Sequence, residues 1–244
     1  PALFAEWAQH LVETAAPAPG ESVLDVACGT GVVAREAARR VGERGKVVGV
    51  DLNDGMVAVA ARLRPDLGWQ IADAADLPFP DDSFDVVLCQ AALMFFPDRV
   101  AVLRELARVA GREGRVGVHV PGRLERSPGY APFVQIAARH AGPEAAALLG
   151  TYFVLGDPEE LGALLAAAGL EVVATSTRLT AARYESVDAF VATEIGGTPL
   201  ADRIDSGAYE QILEETRLVA APYTSAAGRL EAPIETHAIV ARPR

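Results

Sequence analysis

A short apolar run ends in a glycine-rich turn, and a helical pattern begins directly after that turn. Residues 22–27 are mostly apolar and lead through Cys28 into Gly29-Thr30-Gly31. From Val32 to Val41, apolar side chains recur at helical spacing, with charged residues on the other side. Glycine lets the backbone pass close under a ligand, and the free N–H groups of a following helix point at that ligand. The segment therefore predicts a strand, a ligand-binding turn and a helix.

An acidic residue, Asp51, closes the next apolar run, 20 residues after Gly31. In a doubly wound sheet, adjacent strands place this carboxylate beside the turn, at the edge where ligands bind. There it can accept hydrogen bonds from both hydroxyls of a ribose, so the pattern predicts a cofactor that contains adenosine. The spacing Gly29-x-Gly31-x-x-Ala34 also matches a dinucleotide fingerprint. A nicotinamide-dependent oxidoreductase is therefore an open alternative on these residues alone.

Strands and helices alternate through the first half of the chain, which predicts a parallel sheet with helices on both faces. The predicted strands are residues 22–27, 46–50, 69–71, 84–89 and 115–120. The predicted helices are residues 2–16, 32–41 and 54–63, and one that Asp98 caps. We expect ligands at the carboxyl ends of these strands.

The pattern changes after Pro121, where glycine, proline and aromatic residues mix with helical stretches. We interpret this segment as a helical cap inserted after strand five, and Asp157-Pro158 as the start of a further helix. The remaining predicted elements are a strand over residues 170–177, broken helices over 186–220 and a last strand over 234–241. The predicted organisation is a sheet core at 1–121, a cap at 122–155, and the rest of the sheet with extra helices at 156–244.

Four segments of the first half of the chain carry further motifs in a fixed order. They are Val23-Leu24-Asp25-Val26-Ala27-Cys28-Gly29-Thr30-Gly31, Val48-Gly49-Val50-Asp51-Leu52 with Met56, Ala72-Asp73-Ala74-Ala75-Asp76-Leu77-Pro78-Phe79-Pro80, and Arg104-Glu105-Leu106-Ala107-Arg108-Val109. Together they resemble the motifs of class I methyltransferases of the ubiquinone/menaquinone-biosynthesis type, the methyltransferase type 11 family. Two positions depart from that pattern: Ala72 stands where the family has glycine, and residues 112–114 stand where it has Pro-Gly-Gly.

The resemblance implies an α/β fold with a doubly wound, seven-stranded, mostly parallel sheet and a helical cap after strand five. It also implies S-adenosylmethionine as the cofactor. Carried over residue by residue, the implied cofactor-binding residues are Asp25, Gly29 and Gly31 at the methionine end, Asp51 at the ribose, Leu52, Met56, Asp73 and Ala74 at the adenine, and Gln90 beside the methionine portion.

The implied reaction is methyl transfer to a small, largely apolar acceptor, of the kind found in secondary metabolism. Such an enzyme mainly aligns the nucleophile with the methyl carbon and sulfur and excludes water, so a catalytic triad is not required. One alternative is a methyltransferase-like protein that binds the cofactor without methylating. The other is the nicotinamide-dependent oxidoreductase, against which the segment Asp73 to Phe79 argues.

Composition limits the partners and the setting of the chain. The net charge of -11 argues against DNA or RNA as the main partner, because phosphate binding needs a basic face. The sequence contains no apolar run of the roughly 18 residues that span a membrane, and its first residues lack a secretory pattern. We expect a cytoplasmic, bacterial protein without a metal site, in which Cys28 and Cys89 are buried free thiols. The oligomeric state stays open.

Three further residues are candidates for contact with the acceptor. His119 lies near the carboxyl end of predicted strand five, where it could bind or deprotonate a substrate, or be a hydrogen-bonded residue without a catalytic role. Tyr130 and Phe133 belong to the predicted cap, which follows strand five and can fold over the carboxyl edge of the sheet. An aromatic and aliphatic cap suits a mostly apolar small molecule.

Overall fold

The computed structural model describes the backbone of residues 2–244 and the side chains from Phe4 onward. Its main element is a seven-stranded sheet in the order β3-β2-β1-β4-β5-β7-β6. The strands are β1 (Ser22–Val26), β2 (Lys46–Asp51), β3 (Gly68–Ile71), β4 (Val86–Gln90), β5 (Arg115–Pro121), β6 (Leu170–Tyr184) and β7 (Leu230–Pro243). The predicted α/β fold with a seven-stranded, mostly parallel sheet is confirmed.

Helices connect most of these strands. They are α1 (Ala2–Ala15), α2 (Val32–Val41), α3 (Asp54–Leu63), α4 (Arg99–Ala110), α5 (Ala131–Ala141), α6 (Pro143–Gly150), α7 (Pro158–Ala167), α8 (Val187–Gly196) and α9 (Ser206–Ala220). The predicted bounds of α2 and α3 are confirmed. Helix α3 begins where it was predicted because the Asn53 side chain accepts a hydrogen bond from the Met56 N–H at 3.0 Å.

Strand β1 pairs in parallel with β2 on one side and with β4 on the other. Val23 lies opposite Val47 in β2 and opposite Val86 in β4. All residues of β4, and all of β1 after Ser22, are buried, as a sheet covered on both faces requires. The chain order reverses between β1 and β4, so the carboxyl ends of these two strands border the crevice where open α/β sheets bind ligands.

Strands β6 and β7 are longer than the sequence predicts. Strand β6 continues past Thr177 to Tyr184, and β7 begins at Leu230 rather than Ile234. In the added part of β6 the buried residues are Thr180 and an alanine, so the inward face carries little apolar signal. Pairing fixes these extensions instead, since the Thr180 hydroxyl donates to the Ile234 carbonyl at 3.2 Å.

The start of β4 also differs from its prediction. The strand begins at Val86 rather than at Phe84. The Phe84 N–H donates to the Val109 carbonyl at 3.0 Å, near the end of α4, and is therefore not part of the sheet ladder. The sequence placed Phe84 in the strand because the residue is apolar, and apolar character does not reveal this backbone bond.

The described residues form two compact units. The sheet unit comprises Phe4–Val120, Asp157–Thr177 and His237–Arg244. Residues 121–156 and 178–236 form most of the insertion unit. The predicted organisation placed residues 178–236 with the sheet core, whereas their contacts place them with the segment that follows β5.

The insertion unit packs its own aromatic core around Phe190 of α8. The rings of Tyr130, Phe133 and Tyr184 lie with centroids 5.2, 4.8 and 5.1 Å from that of Phe190. Tyr184 donates from its hydroxyl to the carboxylate of Glu194 at 2.6 Å. Burial raises the pKa of Glu194, and the tyrosine hydroxyls oppose that rise by stabilising the ionised form.

In the sheet unit, Arg115 ties the carboxyl end of α1 to the start of β5. Its guanidinium donates to the carbonyls of Ala15 and Ala16 at 2.6 and 2.9 Å. It also binds both carboxylate oxygens of Glu21, at 3.1 and 2.7 Å. The Arg115 side chain is only 14% exposed, so these bonds are poorly screened by solvent. They anchor α1 against the sheet.

We predict that Arg115→Met lowers the free energy of unfolding by about 2–3 kcal/mol, because it leaves Glu21 and two helix-terminal carbonyls without their donor. Arg39→Met is the matched control, since Arg39 is 67% exposed and should change stability by less than about 0.5 kcal/mol. Denaturant unfolding measures both. The pKa of Glu21 is lowered by the Arg115 bond. The contribution of the pair should therefore persist above pH 4.5 and disappear as the pH falls through the folded-state pKa. An equal loss of unfolding free energy in Arg115→Met and Arg39→Met would contradict the anchoring role of Arg115.

Candidate functional site

The turn after β1 has an unusual backbone. Ala27, Gly29 and Gly31 all have positive φ angles, of 54°, 53° and 77°. The Cys28 N–H donates to the Val50 carbonyl at 2.9 Å, which holds the turn against the end of β2. Left-handed geometry at a non-glycine residue such as Ala27 is costly and clusters at functional sites. The turn is therefore a candidate ligand-binding segment.

Asp25 lies beneath this turn, on β1. Its carboxylate is 1% exposed and accepts a hydrogen bond from the Ala34 N–H, in the first turn of α2, at 2.9 Å. Burial raises the pKa of Asp25 to about 7, while the Ala34 N–H acts in the opposite direction. The structure thus gives Asp25 a role in holding α2 against β1. Its contact with the methionine end of a cofactor stays a prediction.

Asp51 joins the ends of two loops. One carboxylate oxygen accepts from the Gly29 N–H at 2.8 Å, and the other accepts from the Asn53 N–H at 2.9 Å. The structure therefore brings Asp51 and the glycine turn together, as the spacing predicted. Asp51 is half-buried, and each of its oxygens has a second lone pair. Those lone pairs can accept the two hydroxyls of a ribose.

Exposed apolar side chains lie beside Asp51 along the carboxyl edge. Leu52 is 71% exposed and Met56 is 44% exposed. Ile71, which the sequence analysis missed, is 54% exposed and pairs with Asp51 in the register of β2 and β3. Apolar side chains displayed together at a ligand edge suit a flat base such as adenine.

Asp73 opens the loop that follows β3. Its side chain accepts from the Ala75 N–H at 2.9 Å, and its backbone bridges to Asp76, so the loop is a compact turn. Ala74 is buried, and Asp73 is exposed. The predicted contacts of these two residues with adenine stay predictions.

Trp69 is a site residue that sequence reasoning did not identify. Its indole N–H donates to the Arg64 carbonyl at 2.7 Å, which fixes the ring across the sheet. A Cβ atom added at Gly31 or Gly49 would lie only 2.3 or 2.4 Å from the ring. The sequence feature that could have identified Trp69 is the pair Gly31 and Gly49. Without side chains, these two glycines leave room for one large ring.

Gln90 is the last residue of β4, at the crevice between the carboxyl ends of β1 and β4. Its amide nitrogen donates to the Phe4 carbonyl of α1 at 3.2 Å, and the residue is 9% exposed. Its Oε1 is buried and has no hydrogen-bond partner among the described residues. The next residue, Ala91, has a φ angle of 52°, a second strained alanine at this edge. The site therefore contains an unused buried acceptor at the end of β4.

His119, Tyr130 and Phe133 are all buried. His119 is 0% exposed and lies beside Trp7, with ring centroids 5.2 Å apart. Burial lowers the pKa of His119 well below its ordinary value, so the ring is neutral. Tyr130 and Phe133 are 5% and 1% exposed within the aromatic core of the insertion unit. Contact of the three with an acceptor stays a prediction.

Both cysteines are free and buried, as predicted. Burial raises the pKa of Cys28 and raises that of Cys89 to about 12, so both are thiols at neutral pH. In residues 2–244, no helix is long and apolar enough to cross a membrane. The part of the chain that the structure describes contains no group of three or more His, Cys, Asp or Glu residues that could hold a metal ion.

Residues 24–118 match the family model described as a methyltransferase domain. The matched range contains the glycine turn, Asp51, Asp73 and Gln90. This similarity favours S-adenosylmethionine over the nicotinamide cofactor that the glycine spacing also allowed.

Curated relatives match in the same region. Nocamycin O-methyltransferase from Saccharothrix syringae is 36% identical over 184 residues, which cover 68% of this chain and 65% of that protein. The 2-phytyl-1,4-naphtoquinone methyltransferase from Synechococcus elongatus is 36% identical over 135 residues, covering 53% of this chain and 56% of that protein. The chain thus matches less than two thirds of the length of these relatives. Among solved structures, YcgJ from Bacillus subtilis has a TM-score of 0.64 at 23% identity and covers 98% of both chains, which supports the fold.

The cofactor of methyltransferase domains is S-adenosylmethionine, and features of this structure fit it. A Cβ atom added at Gly29 would meet nothing within 4 Å, so open space lies over the turn. Asp51 offers acceptors at the end of β2, and Leu52 and Ile71 offer apolar surface beside it. The residues present therefore suit a nucleoside with a charged tail across the turn.

We predict that Asp51→Ala weakens the binding of S-adenosylhomocysteine by about 10- to 100-fold, the loss of charge-assisted bonds worth about 1.5–3 kcal/mol. Isothermal titration calorimetry measures the change. Asp54→Ala is the control, because Asp54 is an exposed carboxylate nearby that accepts a hydrogen bond from the N–H of its neighbour Gly55. A folded Asp51→Ala protein with unchanged affinity would exclude the ribose assignment.

The two turn glycines should respond differently to alanine. At Gly31 the new Cβ would lie 2.3 Å from Trp69, so Gly31→Ala should lower the stability by about 3 kcal/mol. At Gly29 the Cβ enters open space, so the cost is chiefly the left-handed backbone, about 1 kcal/mol. We nevertheless expect Gly29→Ala to weaken S-adenosylhomocysteine binding at least tenfold, because that space is where the cofactor would lie. Thermal unfolding and calorimetry together test this, and unchanged affinity in Gly29→Ala would remove the turn from the site.

Proposed function

We propose that this protein transfers the methyl group of S-adenosylmethionine to a small, largely apolar molecule. The observation that carries the proposal is the bond between the Asp51 carboxylate and the Gly29 N–H, inside the matched methyltransferase domain. It joins the carboxylate that we propose binds the ribose to a turn with open space over Gly29. That combination is what an adenosine cofactor with a charged amino-acid tail requires.

The bound cofactor supplies an electrophilic methyl group on a sulfonium. The residues of this chain bind and orient the two reactants and exclude water from them. Asp51 and the Gly29 turn would hold the cofactor along the edge, Leu52 and Ile71 would contact its base, and Gln90 would contact its methionine portion. Alignment of this kind supplies a large share of the rate enhancement when the reactants are intrinsically reactive. The proposed mechanism therefore needs no nucleophilic residue, and the buried thiols take no part.

Several observations support a small acceptor. The relatives are named for nocamycin, for a phytyl naphthoquinone and for aklanonic acid, which are all small molecules. The net charge of -11 disfavours a nucleic acid. The aromatic residues of the insertion unit, Tyr130 and Phe133 among them, support the proposal that residues after β5 select an apolar acceptor. Two buried free thiols are consistent with the proposed cytoplasmic setting.

The test is an acceptor screen with mass detection. We expect one member of a panel of naphthoquinols, hydroxyanthraquinones and phenols to gain about 14 Da, the mass of CH₂, with S-adenosylhomocysteine formed in equal amount. Asp51→Ala is the control for cofactor dependence, because its weaker cofactor binding should lower both signals together. Cofactor binding without product across the panel would favour the alternative in which the protein binds the cofactor for another reaction. Absence of cofactor binding by the unmodified protein would overturn the proposal.

A further inference from the structure

Gln90 and His119 are neighbours across the paired strands β4 and β5. They are register partners, so their side chains lie on the same face of the sheet. Among the described residues, five buried side-chain nitrogen or oxygen atoms lack a hydrogen-bond partner, and three belong to this pair: Oε1 of Gln90 and both ring nitrogens of His119. Buried polar atoms are almost always paired, and unpaired ones need an explanation such as a ligand.

Helix α1 covers this pair. The Phe4 carbonyl accepts from the Gln90 amide at 3.2 Å, and the rings of Trp7 and His10 lie 5.2 and 5.4 Å from that of His119. Because His119 is 0% exposed, a ligand that binds it requires a local shift of the residues that cover the ring, Trp7 and His10 among them.

Two other histidines of the sheet unit, His10 and His237, are also buried but have different surroundings. His10 shares a hydrogen bond with the Ser176 hydroxyl at 2.9 Å, and His237 shares one with the Thr177 hydroxyl at 2.8 Å. Both are as buried as His119. Burial alone therefore does not explain why the ring nitrogens of His119 are unpaired, since the two other buried histidines have partners. The unpaired nitrogens belong to the histidine beside Gln90.

We propose that Gln90 and His119 together bind a hydroxyl group of the methyl acceptor. This inference rests on the proposed function, since it assigns the polar contact of that same reaction. Gln90 lies at the end of β4, beside the predicted methionine portion, so a group held there is close to the transferred methyl. His119 then acts as a positioning contact that orients the acceptor by hydrogen bonding.

The hydrogen-bonding capacity of the pair selects a hydroxyl over charged groups. Oε1 of Gln90 is a carbonyl oxygen and can only accept, while the amide nitrogen donates to the Phe4 carbonyl. A neutral imidazole offers one donor and one acceptor. A hydroxyl has one hydrogen to donate and two lone pairs to accept, so it satisfies a donor and an acceptor at once. A carboxylate would bring its oxygens against Oε1, and an ammonium would leave the imidazole N–H unpaired.

The experiment compares three probes of one shape: 2-naphthol, 2-methylnaphthalene and 2-naphthoate. Each is equilibrated by dialysis with the full chain saturated with S-adenosylhomocysteine. We expect 2-naphthol to bind about tenfold more tightly than the other two, and His119→Phe to abolish that preference. His119→Phe should leave S-adenosylhomocysteine affinity unchanged. It should also raise Tm by about 3 °C, because an apolar ring replaces unpaired polar atoms.

His237→Phe is the matched control. It removes a paired buried histidine, so it should lower Tm and keep the preference for 2-naphthol. His119→Leu is a smaller replacement that keeps the test valid if the phenyl ring prevents folding, and the same loss of preference is expected. Equal affinity of the three probes, no measurable binding of 2-naphthol, or a preference that survives in the folded His119 variant would each overturn the proposal.

The two proposals fail in different ways. A protein that shows the His119-dependent preference but methylates nothing in the acceptor screen would refute the methyl-transfer function and leave the hydroxyl site. A protein that methylates its acceptor equally well with His119→Phe, at the same KM and kcat, would refute the hydroxyl site and leave the methyl-transfer function.

Discussion

The bond from the Gly29 N–H to the Asp51 carboxylate is the contact on which the candidate site depends. It forms because β1 and β2 run in parallel register and end together, with the Cys28 N–H bound to the Val50 carbonyl beside it. The left-handed turn places the Gly29 N–H toward β2, where an ordinary turn would direct it elsewhere. The same carboxylate fixes the Asn53 N–H, just before α3. One side chain therefore positions both loops of the edge.

Two carboxylates serve this edge under different electrostatic conditions. Asp51 is half-buried, whereas Asp25 is nearly fully buried and has its pKa raised to about 7 by burial, with a smaller contribution from Asp51. A nearby positive charge would favour the ionised form of Asp25. The edge is therefore better suited to a ligand with a cationic centre than to an anionic one. The sulfonium and ammonium of S-adenosylmethionine meet that requirement, whereas a pyrophosphate would meet two carboxylates.

The sequence predicted most of the sheet unit, because its signals are local. Helical periodicity and the Asn53 cap define α3, and glycines with Asp51 define the turn. Other features depend on partners far along the chain. Trp69 was missed because its role is to fill the space that two glycines leave. The end of β6 was missed because Thr180 carries little apolar signal and strand pairing decides its conformation. The burial of His119 was missed because alternation along β5 does not say what covers it.

The face of β5 beneath α1 changes in character from one end to the other. At its start, Arg115 makes four hydrogen bonds to α1 and the segment just after it. At Gly117 an added Cβ would lie 3.2 Å from Leu11, so helix and strand are in close contact. At His119 the polar atoms are unpaired, and the Gln90 amide makes one 3.2 Å bond to Phe4. The two ends of this face therefore differ, because Arg115 binds the helix through a charged group, whereas the ring nitrogens of His119 have no partner among the described residues.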